Sequence, residues 1–460
     1  MLAIISDLHL CDGTATPQNI RPNAFDLFYQ EIYQLALLRG VEKIEIVLLG
    51  DVFDLLRTER WFERADGSKV APDIRPWGRA EALTSPELSS ATLDNALAIA
   101  SEIAENNRDA LASLRGATIR QPDGLTVRRL YLPGNHDRLF LLDPRLQTLI
   151  LTELGVDPRS MARQGVSTHR LALPEYGLLA RHGHEWDPWN FEPMDPANVG
   201  VRAVDPDFLL APIGDPITTE LVARLPFELE RRLASNDVFD KAALAHVIGR
   251  MQRIEDVRPL LASFRWAFFE ADCLSQVLSS EQAEVLRSTL TGVVRDVTSD
   301  FRQLPYYDAW MERHGHSNNG ILFSATLLFL STFRVSSAAP LIQRLEQFSD
   351  SVNPHDTCRK GALEEELNTV ARNGFRHVVY GHTHQPLQAA LRVDPAADWY
   401  LNSGTWRRRE FATDDNRAFL GTEHFSYVVF YTAEETKRAG LTDGPSFELW
   451  RGSRNCAPIA

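Results

Sequence analysis

The sequence predicts an α/β protein, and three observations carry that reading. Short apolar runs of strand length alternate with segments of helical period through the first part of the chain. These runs end on motifs of Asp, Asn and His, and the last part of the chain returns to strands after a long stretch without strand alternation.

The elements follow in order. Residues 2–6 form an apolar run that ends at Asp7-Leu8-His9, and Phe25, Phe28, Tyr29, Ile32 and Leu35 then recur at helical spacing, with Gly40 as the stop. Residues 44–49 are β-branched and apolar and run into Gly50-Asp51-Val52-Phe53-Asp54. Residues 92–114 read as helix, and 126–132 as a strand that delivers Gly134-Asn135-His136-Asp137. The arrangement recurs at 178–181 before His182-Gly183-His184, and at 377–380 before Gly381-His382-Thr383-His384. Final strands are expected at 399–402, 425–431 and 447–450.

Two regions interrupt the alternation. Residues 57–90 show little periodicity and predict a long loop beside Asp51. After a Pro-rich stretch over 188–216, segments rich in Leu, Phe, Arg and Glu predict a mostly helical insertion. The expected organisation is a core over 1–190 and 361–460 with a helical cap over 191–360.

Composition limits the function classes. At 460 residues with 44% hydrophobic residues the chain can bury a full core, and a net charge of −14 argues against a nucleic-acid-binding surface. Four dispersed cysteines make neither a disulfide framework nor a Cys-rich zinc site, which points to a reducing compartment. No signal-peptide pattern precedes the first strand. The most apolar later stretch, 321–333, is shorter than the ~20 residues of a membrane span and is interrupted by Ser324, Thr326, Ser331 and Thr332. A cytoplasmic location without a transmembrane segment is expected.

The five motifs together read as a metal site, because Asp, Asn and His suit Mn, Fe, Co, Ni or Zn. Asp7 and His9, two apart, can face one ion, as can His382 and His384. The carboxylate of Asp51 can bridge two ions about 3.5–4 Å apart, and Asn135 is a neutral oxygen ligand. Strands of an open α/β sheet deliver ligands at their carboxyl ends, so motifs placed behind strands can converge on one edge. A lone His is more often structural, and it is the joint pattern that reverses this for His9, His136, His382 and His384.

In that order the motifs resemble the calcineurin-like metallophosphoesterase superfamily, whose pattern is D-x-H, G-D-x-x-D, G-N-H-[DE], H and G-H-x-H. The resemblance covers about residues 1–190 and 361–460 and says nothing of the insertion. It implies a four-layer α/β/β/α sandwich of two mixed sheets and a binuclear centre of divalent or trivalent ions, with Mn or Fe preferred. Asp7, His9, Asp51 and His384 would hold one ion, and Asp51, Asn135, His182 and His382 the other. His182 is preferred because Gly183 follows it, although spacing alone leaves His184 open. The implied reaction is hydrolysis of phosphomonoesters or phosphodiesters by in-line attack of a metal-bridging hydroxide. His136 would serve the leaving oxygen and Asp54 would orient it, unless Asp54 is a helix N-cap.

Other readings stand beside this one. A resemblance to bacterial UDP-diacylglucosamine pyrophosphohydrolases suggests a nucleotide-lipid substrate, but this chain is longer and carries His136 where they have Arg. A nuclease of the superfamily conflicts with the acidic balance. A non-catalytic scaffold would tolerate lost ligands, and none is lost here. The expected partner is a phosphorylated small molecule or a lipid-linked one. Arg138 and the run Arg407-Arg408-Arg409 read as solvated surface, and Phe264, Trp266, Phe268 and Phe269 as helical core.

Overall fold

Strand β1 (Leu2–Ile5) is buried along its whole length and lies parallel to β2 (Lys43–Leu49), which in turn lies parallel to β3 (Thr126–Leu132). Burial on both faces explains why β1 reads as a continuous apolar run, whereas β3 is buried only over its last three residues, Leu130, Tyr131 and Leu132. The structure is a computed structural model that describes residues 1–456 apart from 18–19, 86, 160–168, 196, 259–261, 333–353, 366–374, 393–397, 414–417 and 442–443.

Helix α1 (Pro22–Leu38) makes the crossover from β1 to β2. Pro22 presets its first turn, and Phe25, Phe28, Tyr29, Ile32 and Ala36 form the buried face. The helix expected over 92–114 is two, α2 (Ser90–Asn106) and α3 (Arg108–Leu114). They divide at Asn107, whose amide donates to the carbonyls of Ile103 and Cys11 instead of pointing to solvent. Helix α4 (Pro144–Leu154) starts on the Asp143 cap and stops at Gly155, which is left-handed.

The remaining strands are β4 (Leu171–Leu173), β5 (Leu178–Ala180), β6 (Val257–Arg258), β7 (His377–Tyr380), β8 (Leu387–Arg392), β9 (Asp398–Asn402), β10 (Arg408–Ala412), β11 (Phe419–Tyr431) and β12 (Ser446–Cys456). They complete two mixed sheets. One runs β3-β2-β1-β11-β10-β6 with β12 paired to β11, and the other β4-β5-β7-β9-β8. Leu2, Ile4, Val47, Leu49 and Leu130 of the larger sheet share one apolar cluster with Leu171, Leu178, Val379 and Leu401 of the smaller. The larger sheet's opposite face, with Ala3, Ile5 and Ile46, packs on Phe25, Ile32, Ile99 and Ile150 of α1, α2 and α4. Leu179, Val378 and Tyr400 of the smaller sheet pack on Cys358 and Ala362 of α11 (Pro354–Glu365).

The insertion has its own core. Helices α5 (Arg224–Ala234), α6 (Lys241–Met251), α7 (Ala262–Leu274), α8 (Ser280–Phe301), α9 (Pro305–His314) and α10 (Asn318–Thr332) bury Leu229, Val247, Trp266, Leu290, Trp310 and Phe323 together. Each such side chain contributes about 1.5–3 kcal/mol of apolar burial. The region is mostly helical, as expected, with one addition: β6 lies within it and extends the larger sheet parallel to β10. The loop expected over 57–90 carries three short 3-10 turns, Glu59–Trp61, Pro72–Ile74 and Ala80–Leu83, and packs down through Trp61 and Trp77, both fully buried.

Buried ion pairs join core to insertion. Arg57 meets Glu255 at 3.2 Å, Arg138 meets Asp215 at 2.8 Å, Arg407 meets Asp256 at 3.0 Å, and Arg75 pairs with Glu220. In every pair the arginine comes from the core and the carboxylate from the insertion. Arg138 and Arg407 are therefore interior, not solvated as their sequence context suggests, and Arg409 is also buried.

Candidate metal centre

Asp7, His9, Asp51, His382 and His384 all hold positive φ, between 45° and 67°, and among the described residues no other non-glycine residue does. Asp and His tolerate the left-handed region better than most residues, yet each such position costs on the order of 1–3 kcal/mol and persists only where its surroundings over-determine it. Here the turns after β1 and β2 hold one another. The amides of Asp7, His9 and Leu10 donate to the carbonyls of Gly50, Asp51 and Val52 at 3.1, 2.8 and 2.8 Å, and the Asp54 amide returns to Leu10 at 2.9 Å.

Glycines let these turns close. Gly50 itself needs positive φ, at 83°. Gly134 and Gly381 do not have positive φ, and close approach is what requires glycine there. A Cβ at Gly381 would meet Asp7 Oδ2 at 2.6 Å, and one at Gly134 would meet His182 Nε2 at 2.8 Å. Asp137 secures the Gly134 turn by accepting from the Gly134 and Val52 amides and from Tyr131 Oη.

Six of the seven expected ligands converge, and the seventh, Asn135, is buried just past the end of β3. One potential ligand atom from each of Asp7, His9, Asp51 and His384 falls within a 4.8 Å cluster, and Asp51, His182 and His382 form a second that shares Asp51. His9 Nε2 lies 2.9 Å from His384 Nε2 and 3.7 Å from Asp51 Oδ2, while His182 Nε2 lies 3.2 Å from Asp51 Oδ2. Asp7 Oδ1, Asp51 Oδ2, Asn135 Oδ1 and His182 Nε2 are buried without a well-formed hydrogen bond, and their near charged neighbours belong to the clusters themselves, with His384 at 3.3 Å from Asp7 Oδ1 and Asp51 at 3.2 Å from His182. Orphaned buried acceptors of this kind are costly unless a cation satisfies them. The donor set therefore fits a metal ion.

The outer contacts orient each imidazole. His182 Nδ1 sits 2.8 Å from the Leu49 carbonyl and His9 Nδ1 2.8 Å from Asp54, so both rings present Nε2 to the cluster. His382 Nε2 is 3.0 Å from Asp187, which leaves its Nδ1 as the lone-pair nitrogen. Asn135 donates its amide to Asn190 at 3.3 Å, leaving Oδ1 for an ion. His184 does not join the group. Burial pushes its pKa down to about 3, and its ring packs against Phe191 and Phe208.

The field of the cluster calls for positive charge. Burial lowers the affinity of His182 for a proton, yet Asp51 and Asp7 outweigh it and raise the pKa to about 10. Burial pushes Asp7 up to about 6, although the histidines oppose it. Asp51 stays well below the usual carboxylate range, because the imidazoles of His182 and His136 overcome its burial.

Asp54 and His136 stand beside the clusters. Asp54 Oδ1 is 2.9 Å from His136 Nδ1, and Oδ2 is 2.8 Å from His9 Nδ1. Asp54 also accepts from the Leu56 and Arg57 amides, so it caps a turn, but no helix starts there. Burial opposes protonation of His136, and the Asp54 and Asp51 carboxylates reverse that, raising its pKa. Three supporting residues escaped the sequence reading. Arg57, 3.2 Å from Asp54, and Asn190 carry no motif signal, and Asp187 could have been found only as an acid close after His182.

The aromatic run Phe264 to Phe269 packs in the insertion core, as expected. Among the described residues no helix is long and apolar enough to cross a membrane. No protein-family model matches this chain, and a search of curated proteins also returns no match.

Proposed function

We propose that the chain is a metal-dependent phosphoesterase that hydrolyses phosphomonoester or phosphodiester bonds. The observation that carries this reading is the set of orphaned buried atoms on Asp7, Asp51, Asn135 and His182, four motif residues from separate strand ends. The two sheets sharing one apolar cluster, with helices against their outer faces, support the four-layer arrangement that the motifs imply.

In this reading Asp7, His9, Asp51 and His384 hold one ion, and Asp51, Asn135, His182 and His382 a second. When bound, such ions supply an activated water and neutralise the charge that builds on the phosphoryl oxygens. The chain's own residues do the rest. Asp54 fixes the His136 tautomer through Nδ1, which leaves Nε2 as the proton-carrying atom for the leaving oxygen. The Asp54 carboxylate also raises the proton affinity of His136 against its burial. Asp51 holds the His136 turn in place by accepting its amide at 2.9 Å.

The test is turnover of para-nitrophenyl phosphate and its bis ester by Mn-loaded protein, alongside elemental analysis. Asp51→Asn should lose metal and turnover together. His136→Ala should keep metal and lose turnover by about 10²–10⁴-fold. Unchanged rates in both variants would refute the reading, and a metal-free, fully stable protein would support a scaffold instead.

A further inference from the structure

A cavity of about 260 Å³ opens where the insertion meets the core, separated from His382 of the second cluster by one lining residue, Asp187. Its walls are aromatic. Trp186, Trp189 and Phe191 come from the segment that follows His184, and Trp310 from α9. Trp189 and Trp310 lie nearly parallel, 24° apart with centroids separated by 6.1 Å. The wall adjoins the candidate metal centre through Asp187, which lies 3.0 Å from His382 and accepts from Asn190, itself 3.3 Å from Asn135.

The polar groups at this cavity are already engaged. Arg313 reaches Glu192 at 3.1 Å and the carbonyls of Leu83, Pro193 and Met194, and His314 shares Glu192 at 3.0 Å. Asp187 accepts from the Trp189 amide and Asn190, and Glu185 pairs with Arg181 at 2.8 Å. A second phosphate would find no uncommitted cation among these residues and would face Asp187 and Glu185, so the cavity disfavours a diphosphate. What remains for recognition is apolar ring surface, chiefly of half-buried Trp189 beside the more deeply buried Trp310, together with the Trp310 indole N–H, which has no acceptor.

The geometry points to a subsite for a planar aromatic group carried by the phosphoester, seated on Trp189 and Trp310 while the phosphoryl group lies at the ligand clusters. This rests on the phosphoesterase reading and names its substrate class. Aromatic stacking of this kind discriminates by about tenfold to a hundredfold. It selects for the ring and not for a particular base or phenol.

The experiment measures binding of three probes to full-length, Mn-loaded protein by calorimetry. They are (2-naphthylmethyl)phosphonate, methylphosphonate and 2-naphthol, none of which is hydrolysed. The naphthyl phosphonate should bind at least tenfold tighter than methylphosphonate, and 2-naphthol should bind alone. Trp189→Ala should bring the ratio of the two phosphonates toward one. So should Val199→Trp, which fills the mouth from a residue 39% exposed and outside the apolar core. A ratio near one in the parent protein, or a ratio undiminished in both variants, overturns the subsite. Binding of 2-naphthol without methylphosphonate would instead keep the aromatic subsite and count against the phosphoesterase reading.

Discussion

Gly134→Ala tests whether the ligand cluster is set by close backbone approach. The added Cβ would stand 2.8 Å from both the Asp51 amide nitrogen and His182 Nε2, and closer still to Asp51 Oδ1. Ordinary contact begins at 3.4 Å, so each neighbour must retreat by at least 0.6 Å. Neither can retreat freely. The Asp51 carbonyl holds the His9 amide, and His182 Nδ1 is tied to Leu49. Because Asp51 belongs to both clusters, its displacement disturbs both at once. Misplacement on the 1 Å scale costs about 10²-fold in rate, and that is the expected loss on aryl phosphates, with metal content falling as well. Gly134 has no positive φ, so backbone strain does not confound the result. Circular dichroism and the urea midpoint separate a displaced site from a failed fold. Gly124→Ala, where a Cβ meets nothing within 4 Å but φ is +81°, shows what strain alone does. A Gly134→Ala protein that retains full metal and full turnover would refute the close-approach reasoning.

Two further expectations follow from the same interior. A chelator should lower the thermal midpoint, and Mn should restore it, since an ion at 100 times its dissociation constant stabilises by about 2.7 kcal/mol; identical midpoints with and without chelator would contradict the metal fit. Glu59 gives a pH signature: burial, with help from Glu230 and Asp12, raises its pKa from 4.5 to about 8. The unfolded chain releases this proton first, so stability falls as pH rises from about 4.5 to 8 and then levels. Glu59→Gln should therefore gain on the parent protein across that window in urea titrations, and a constant difference from pH 5 to 9 would argue against it.

Much of the site was readable from residues alone because its ligands are local in sequence and follow strands. β3 and β7 match the expected 126–132 and 377–380 at both ends, and each motif lies where its strand stops. Long-range partners were not readable. Nothing near Arg138 announces Asp215, and Arg407-Arg408-Arg409 reads as a charge run because its alternation is invisible without partners. Arg407 turns inward to Asp256 and the His9 carbonyl, Arg408 pairs with Glu410, and Arg409 reaches the His384 carbonyl. β6 has only two residues, too few to show a period, and it forms because β10 supplies a partner edge. The aperiodic stretch over 57–90 gains order the same way, from Trp77 entering the insertion core rather than from a pattern of its own.

The insertion's acids also bear on how phosphate is recognised. Arg57 and Arg138 follow motif segments and Arg407 donates to the His9 carbonyl, yet each is held by an insertion carboxylate. Under the proposed function, attraction for a phosphoryl group would not come from these three arginines, which instead dock the insertion. Arg138 separates the two roles most cleanly. Its guanidinium also donates to the Leu209 carbonyl, inside the insertion. Removing Asp215 alone strands a buried cation and should cost about 3–5 kcal/mol, whereas replacing both partners with apolar residues is often neutral. An Arg138→Met/Asp215→Leu protein should recover most of the stability lost in Asp215→Ala and keep KM for an aryl phosphate within about threefold, since little uniform binding is lost. A tenfold rise in KM with stability restored would mean that Arg138 holds phosphate after all.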